Sequence, residues 1–414
     1  MFGTLFIKEC KQMLKSMVYY IYAAVFVIFL SSQLSGDLTD RMERPLPDQE
    51  NYGQTSSHEP SVVMEKILAQ LMLETNRNSY ATYPMGFYKE VTLNQRELDE
   101  VIQILENCSG KSWEELTEDM EAHFNKYDQS SMEGAMAAQT EYSVPARESF
   151  TYEEFSADME RICEIIGAGS SYRKEAVKGG VSVPMTYEQA VEEYEAFCEK
   201  DRVTGAVSRL FCDYAGIILS VLPIFLGVTR CLRDKRARAS QVVYAHEASA
   251  FCIIASRYLA NVFLAALPVL VTSFVMQMPY QYHANTLGVS PDLLAFLKYN
   301  LIWLLPEIMA VLAVSFFFTE LTESVISIFI QVFWAMASLM GAGTLAGDFS
   351  LKLVVRWNAF GGTNEFLAQR QQLFINRGFY FLLSLAVLAF TAVFYEKKRR
   401  EGETLYGKIF KRRK

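Results

Sequence analysis

Four histidines, His58, His123, His246 and His283, are all the chain has, and none sits in H-E-x-x-H or another ligand-like spacing. Zinc-centred hydrolysis therefore has no residues to work with, and no metal site is expected. A G-x-x-x-x-G-K-[ST] run is missing too, and the glycine-rich Gly341–Gly347 lacks the lysine, so the chain has no phosphate-cradling loop for ATP. No G-x-S-x-G supplies a nucleophile elbow. Cysteine is sparse: of the acidic middle segment's residues only Cys108, Cys163 and Cys198 could pair, and an odd number cannot all do so. One bridge stays open there, beside plain packing on helix faces. Neither covalent nor metal catalysis is expected of this chain, and no cofactor is expected in it.

What the chain has in quantity is long apolar sequence. Six stretches, Met17–Leu34, Leu210–Thr229, Tyr258–Met276, Tyr299–Phe318, Ser324–Ala346 and Gly378–Tyr395, each approach the ~20 residues that a helix needs to cross a hydrocarbon core ~30 Å thick. Inside lipid the backbone must bond to itself, which favours helices of this length. The expected fold class is all-α: a polytopic membrane protein with six transmembrane helices, an N-terminal interfacial helix and a helical extracytoplasmic domain.

Charge divides the chain. Residues 35–206 hold 15 Lys+Arg against 34 Asp+Glu, although the whole carries only −8. Such a split marks separate compartments rather than a nucleic-acid partner. Basic clusters precede the first stretch (Lys8, Lys11, Lys15), follow the second (Arg230, Arg233, Lys235, Arg236, Arg238) and follow the sixth (Lys397, Lys398, Arg399, Arg400, Lys408, Lys411–Lys414). With six spans all three lie on one side, so the positive-inside rule puts both termini in the cytoplasm and residues 35–206 outside. The expected divisions are an interfacial helix and first span (1–34), an acidic helical extracytoplasmic domain (35–206), spans two to six (207–395) and a basic tail (396–414). A cleaved signal peptide, with small residues near Ser31–Gly36, is the rival reading of the start. Phe2, Leu5, Phe6, Cys10, Met13, Leu14 and Met17 instead repeat at helical spacing and suit an interfacial helix.

Within the acidic segment, residues 35–60 read as a loop, with Pro45, Pro47 and Pro60. Helix starts are expected at Thr92/Gln95, Ser112/Glu115, Thr151/Glu154 and Thr186/Gln189, where a hydroxyl precedes an acid or amide by three residues. Gly110 and Gly167 read as stops. Leu98, Val101, Ile102 and Leu105 form one apolar stripe, and Phe155, Met159, Ile162 and Ile166 another. The last helix, Thr186 through Cys198, is expected to run almost directly into the second span. Between spans five and six, residues 344–377 mix Arg356, Trp357, Arg370 and Arg377 with Phe360, Phe366 and Phe374, as an interfacial or re-entrant helix pair would; an ordinary loop is the alternative.

Charges inside spans are the functional candidates, because insertion there costs at least ~2.5–3.5 kcal/mol. Glu307 follows Pro306 near the middle of span four, and together they suggest a pathway or subunit-seam lining or hinge; a protonated or hydrogen-bonded interior Glu that only packs helices is the alternative. Asp213 is expected to be hydrated near the outer end of span two, and Arg257 to snorkel to the inner interface. The linker after span two is charged and then amphipathic: Asp234, Lys235, Arg236, Ser240, Gln241, Val242, Val243 and Tyr244, with Arg257 opening span three. Besides anchoring the chain, it could form a short helix that docks in another protein's cleft.

In layout the chain resembles the permease subunits of ABC-2-type ABC transporters, in the subclass with a large extracytoplasmic domain between the first two transmembrane helices. In that family the linker reads acidic, basic, small, then a hydrophobic pair, with a lysine or arginine opening the next span. Asp234, Lys235, Arg236, Ser240, Val242, Val243 and Arg257 occupy those places. The usual Glu is Asp, and Ala239-Ser240 stands where Gly-Thr is usual. The resemblance implies that Ser240–Tyr244 is a coupling helix riding on a separate ATP-binding subunit, which holds ATP-Mg. It further implies a second permease chain, as homo- or heterodimer, an exported substrate and a bacterial plasma membrane. No enzyme activity is expected of this chain itself. Two other readings are a receptor or sensor whose outer domain binds a peptide, and an ion-coupled transporter with Glu307 carrying protons.

Overall fold

The computed structural model describes residues 1–34, 42–49, 51–84, 88–174, 177, 180–340, 351–357 and 360–401. Gly341–Gly347 and the tail lysines from Lys408 onward lie outside the described residues. Two compact units divide the chain. One comprises Met1–Glu43 and Glu193–Leu339 with the C-terminal helix, and the other Arg44–Glu192. We call the second unit the insertion.

In the first unit, α1 (Phe2–Met13) meets α2 (Met17–Gln33) at a bend of 71°. Of the apolar stripe that runs through α1 to Met17, Met13 is buried and the Phe6 ring lies 6.1 Å from that of Phe263, while Phe2, Leu14 and Met17 are exposed. The next helices are α9 (Thr204–Leu219), α10 (Ile224–Arg236), α11 (Ser240–Tyr244), α12 (Ala250–Thr286), α13 (Ala295–Tyr299), α14 (Leu305–Thr322), α15 (Ile326–Leu339) and α16 (Thr363–Glu401). Helices α3 to α8 belong to the stretch between α2 and α9 and are given below.

Among the described residues, four helical runs are long and apolar enough to cross a membrane: Thr204–Arg236, Ala250–Thr286, Ala295–Thr322 and Thr363–Arg400. The bent pair α1 and α2 brings the number to five. Of the expected fifth span, Ser324–Ala346, the described residues show the 14 residues of α15, ~21 Å at ~1.5 Å per residue against a ~30 Å core, and residues 341–346 lie outside the described residues. By the same measure α12, with 37 residues, and α16, with 39, reach ~55 Å and ~58 Å. Arg370, Phe374 and Arg377, expected in an interfacial or re-entrant pair, all lie on the single helix α16. Leu351–Trp357 ahead of it is not helical.

Prolines shape two spans. Pro223 separates α9 from α10, and Ile224 N donates to Val221 O instead of reaching Ser220. The Ser220 carbonyl is satisfied by Gln331 Nε2 at 2.7 Å, from α15. Pro306 opens α14, directly after a π-helical turn at Asn300–Leu304, where its missing N–H costs least.

The insertion has its own core. It contains β1 (Gln54–Ser57), α3 (Pro60–Arg77), β2 (Tyr80–Thr82), β3 (Lys89–Val91), α4 (Gln95–Ser109), α5 (Trp113–Phe124), α6 (Met132–Glu141), α7 (Tyr152–Ile166) and β4 (Val181–Pro184). Strands β1 and β4 pair antiparallel, as do β2 and β3, so the chain is mostly helical rather than strictly all-α, and part of the expected 35–60 loop is a strand. These strands are only three or four residues long. Gln-Thr-Ser-Ser in β1 carries no apolar alternation to reveal it. All four stripe residues of α7, Phe155, Met159, Ile162 and Ile166, are buried, together with Val101 and Leu105 of α4.

Three capping boxes form as their sequences suggest, at Ser112, Thr151 and Thr186. The start of α4 differs. Asn94 caps it, with Glu97 reaching back, in place of Thr92 and Gln95. Asn is as good a cap as Thr, and the Glu97 carboxylate is a stronger acceptor than an amide. Gly110 closes α4 at φ 72°, in the left-handed region that suits glycine. All seven cysteines are free thiols.

Helix α8 (Tyr187–Glu199) ends before α9 instead of running into it. Arg202 and Val203 take φ of 50° and 65° at the break. Asp201 anchors this turn through a buried ion pair to Arg209 and by accepting from Thr363 Oγ1 at 2.6 Å.

Candidate functional site

The linker between α10 and α12 folds as its pattern suggests: α11 spans Ser240–Tyr244, the range expected for the docking helix. Ahead of it, Arg238 adopts a φ of 54°, which turns the chain out of α10. Behind it, Ser249 caps α12 by accepting from Cys252 N at 3.2 Å.

The helix is mounted from behind. Tyr244 packs its ring 5.7 Å from that of Tyr395 on α16. The Arg399 guanidinium donates to the carbonyls of Tyr244 and Ala248, each at 2.7 Å, and of His246 at 2.5 Å. One planar fork thus gathers three carbonyls that helix geometry leaves open. Gln241 and Val242 face outward, and Val242 is 75% exposed.

Below the linker lies a charge network. Asp234 Oδ2 pairs with Arg257 Nη2 at 2.6 Å, and Asp234 Oδ1 with Arg230 Nη1 at 3.4 Å. Glu9 of α1 pairs with Arg230 at 2.5 Å and with Arg257 at 3.7 Å. Arg257 is therefore buried in an ion pair and does not snorkel. The reason is local: two carboxylates compensate two desolvated guanidinium groups, so neither cation needs water.

On the neighbouring side, Glu323 binds Lys235 at 2.7 Å and Lys398 at 2.8 Å. Partial burial pushes the Glu323 carboxyl up, but the hydrogen bonds from these two lysines prevail and hold it below the usual carboxylate range. Arg236 remains exposed at the end of α10. Of the linker residues singled out from sequence, Asp234, Tyr244 and Arg257 face the bundle, Lys235 is exposed but reaches Glu323, and Arg236, Gln241 and Val242 face out. Ser240 and Val243 are half-buried. Glu9, Glu323 and Arg399 were missed, because each joins the site from a helix distant in sequence.

A second group lies inside the bundle. Glu307 of α14 and Arg377 of α16 are both buried and 3.3 Å apart. Arg377 Nη1 also donates to Leu353 O at 3.0 Å. Gly216 lets α9 come close to this pair: a Cβ there would stand 3.4 Å from Glu307 Oε2. Among the described residues Glu307 Oε1 and the Nε and Nη2 of Arg377 make no hydrogen bond, which leaves the pair incompletely satisfied there. Asp213, expected to be hydrated, is fully buried. It pairs with Arg356 at 2.8 and 2.9 Å and accepts from Trp357 N. The segment before α16 folds over the carboxylate and supplies donors in place of water.

No protein-family model, curated protein or solved structure matches this chain. Geometry alone carries the functional argument. The outward face of α11 has a polar and an apolar side chain on a firm mount, as a protein contact requires. The cavity behind it, lined in part by Asp234, Tyr244, Glu323 and Lys398, measures about 20 Å³. That is room for a single water, not for a transported or reacting molecule.

Proposed function

We propose that this chain is the membrane-spanning permease subunit of an ATP-driven exporter of the ABC-2 type, working in a bacterial plasma membrane. In this reading a separate ATP-binding subunit holds ATP-Mg and docks on α11 through Gln241, Val242 and Arg236. A second permease chain completes the assembly, both termini are cytoplasmic, and the insertion is extracytoplasmic. The observation that carries the reading is a short helix between two spans that is clamped at its back by Arg399 and Tyr395 and bare at its front. A passive charged loop needs no such clamp.

Force applied to α11 would enter the bundle through Arg399 into α16, and through the Asp234–Arg257 pair into α10 and α12. Along α16 it reaches Arg377, whose partner Glu307 follows Pro306 and the π-helical turn. The incompletely bonded pair and the widened turn together make a hinge, at which α14 and α16 can exchange partners as access changes. ATP binding shifts the transporter only insofar as the partner subunit binds the two arrangements with different affinity.

The test is co-purification of an ATP-binding subunit encoded beside this chain. Arg236→Glu combined with Val242→Glu alters exposed side chains only, so the permease should elute from size exclusion as before. Recovery of the partner should fall to background. Undiminished recovery from the double variant refutes docking at α11.

A further inference from the structure

A cleft of about 500 Å³ lies in the elbow between α1 and α2, closed by α10 and α12. Lys15, Arg233 and Arg236 stand at it, while Tyr19 and Leu226 contribute apolar wall. All three cations are exposed, and none forms an ion pair among the described residues, whereas Arg230 nearby is committed to Glu9 and Asp234. Asn261 also lines the cleft. It is 1% exposed, and its Oδ1 accepts no hydrogen bond among the described residues. Val18 and Tyr19 of α2 line the cleft, and further along the same helix Ile21 is 54% and Ile28 68% exposed.

We propose that this elbow is a binding site for one anionic glycerophospholipid whose headgroup carries hydroxyls. The phosphate meets Lys15 and Arg233, a headgroup hydroxyl donates to Asn261 Oδ1, and the acyl chains lie along Tyr19, Leu226 and the exposed face of α2. Each part of the site matches one part of that molecule. A bare phosphate would leave the apolar wall uncovered, and a zwitterionic lipid would bring its own cation toward three others. The cleft is a built cavity rather than a generic basic surface, because a buried acceptor lies in it and an unpaired buried acceptor costs free energy until a donor arrives. The inference stands apart from the exporter reading, since it needs only that the helices cross a membrane.

Native mass spectrometry of the full-length protein, released from detergent and titrated with single lipids, tests it. Phosphatidylglycerol should be retained at one per chain, in preference to phosphatidylcholine and, because it offers hydroxyl donors, to phosphatidic acid. Lys15→Ala with Arg233→Ala should weaken that binding roughly 30-fold, as expected for two basic groups near a phosphate. Both positions are exposed, so the fold should persist. Asn261→Ala should erase the preference for phosphatidylglycerol over phosphatidic acid. Equal retention of phosphatidylglycerol and phosphatidylcholine, or unchanged binding by the double variant, overturns the site. Displacement of the lipid by millimolar glycerol phosphate shows a small-anion pocket and overturns the lipid assignment. Co-purification of an ATP-binding subunit is unaffected by these outcomes, so the two readings can fail separately.

Discussion

Removing the Asp213 carboxylate would leave the largely desolvated Arg356 guanidinium without its ion-pair partner and Trp357 N–H without this acceptor. Asp213→Ala should therefore cost about 3–5 kcal/mol, read as a drop in the thermal midpoint of the purified protein in detergent. Asp213→Leu with Arg356→Met should recover most of this, because apolar pairs of similar volume replace buried ion pairs well. Recovery should stop about 1–3 kcal/mol short, the cost of the stranded Trp357 N–H. A midpoint unchanged by Asp213→Ala would show that the carboxylate is hydrated after all. Asp213 also marks what single residues conceal in sequence. Its position near a span end suggested solvent, and nothing local announced that Arg356, 143 residues later, would cover it. Charges that pair across long separations, such as Glu9 with Arg230 and Glu307 with Arg377, are invisible to periodicity.

Elements were more legible than pairings. The apolar stripe of α7 and the boxes at Ser112, Thr151 and Thr186 follow from spacing and capping chemistry, which act within a few residues, whereas the range of α11 was implied only by the family resemblance. Short strands and the limits of α15 and α16 were not legible in the same way. Their limits depend on packing against distant chain, as when Gln331 of α15 binds the carbonyl freed ahead of Pro223. One close packing is directly testable. A Cβ at Gly227 of α10 would stand 2.3 Å from Ser315 Oγ and 2.7 Å from its Cβ, so Gly227→Ala must push α10 from α14. Overpacking of this kind costs about 1–3 kcal/mol. Gly216→Ala meets only the Glu307 carboxylate, at 3.4 Å, and should cost less. Thermal midpoints of the two variants check the order; an equal or inverted ranking would show that the α10–α14 contact can relax.

For the whole molecule, the charge division and the proposed topology make one joint expectation. A cysteine placed at exposed Met132 of the insertion should react with a membrane-impermeant maleimide on intact cells, and one at exposed Val242 only after lysis. Labelling of both from the same side would invert or remove the coupling role of α11. Within the first unit, α16 is moored at both ends. At its start Thr363 donates to Asp201 and Asn364 accepts from Lys200 at 2.6 Å, and near its finish Arg399 holds the carbonyls behind α11. The 39 residues between and including these ends contain no proline. A stiff strut of ~58 Å cannot shorten, so displacement imposed at one mooring must reappear at the other as tilt or slide, across the full thickness of the bilayer.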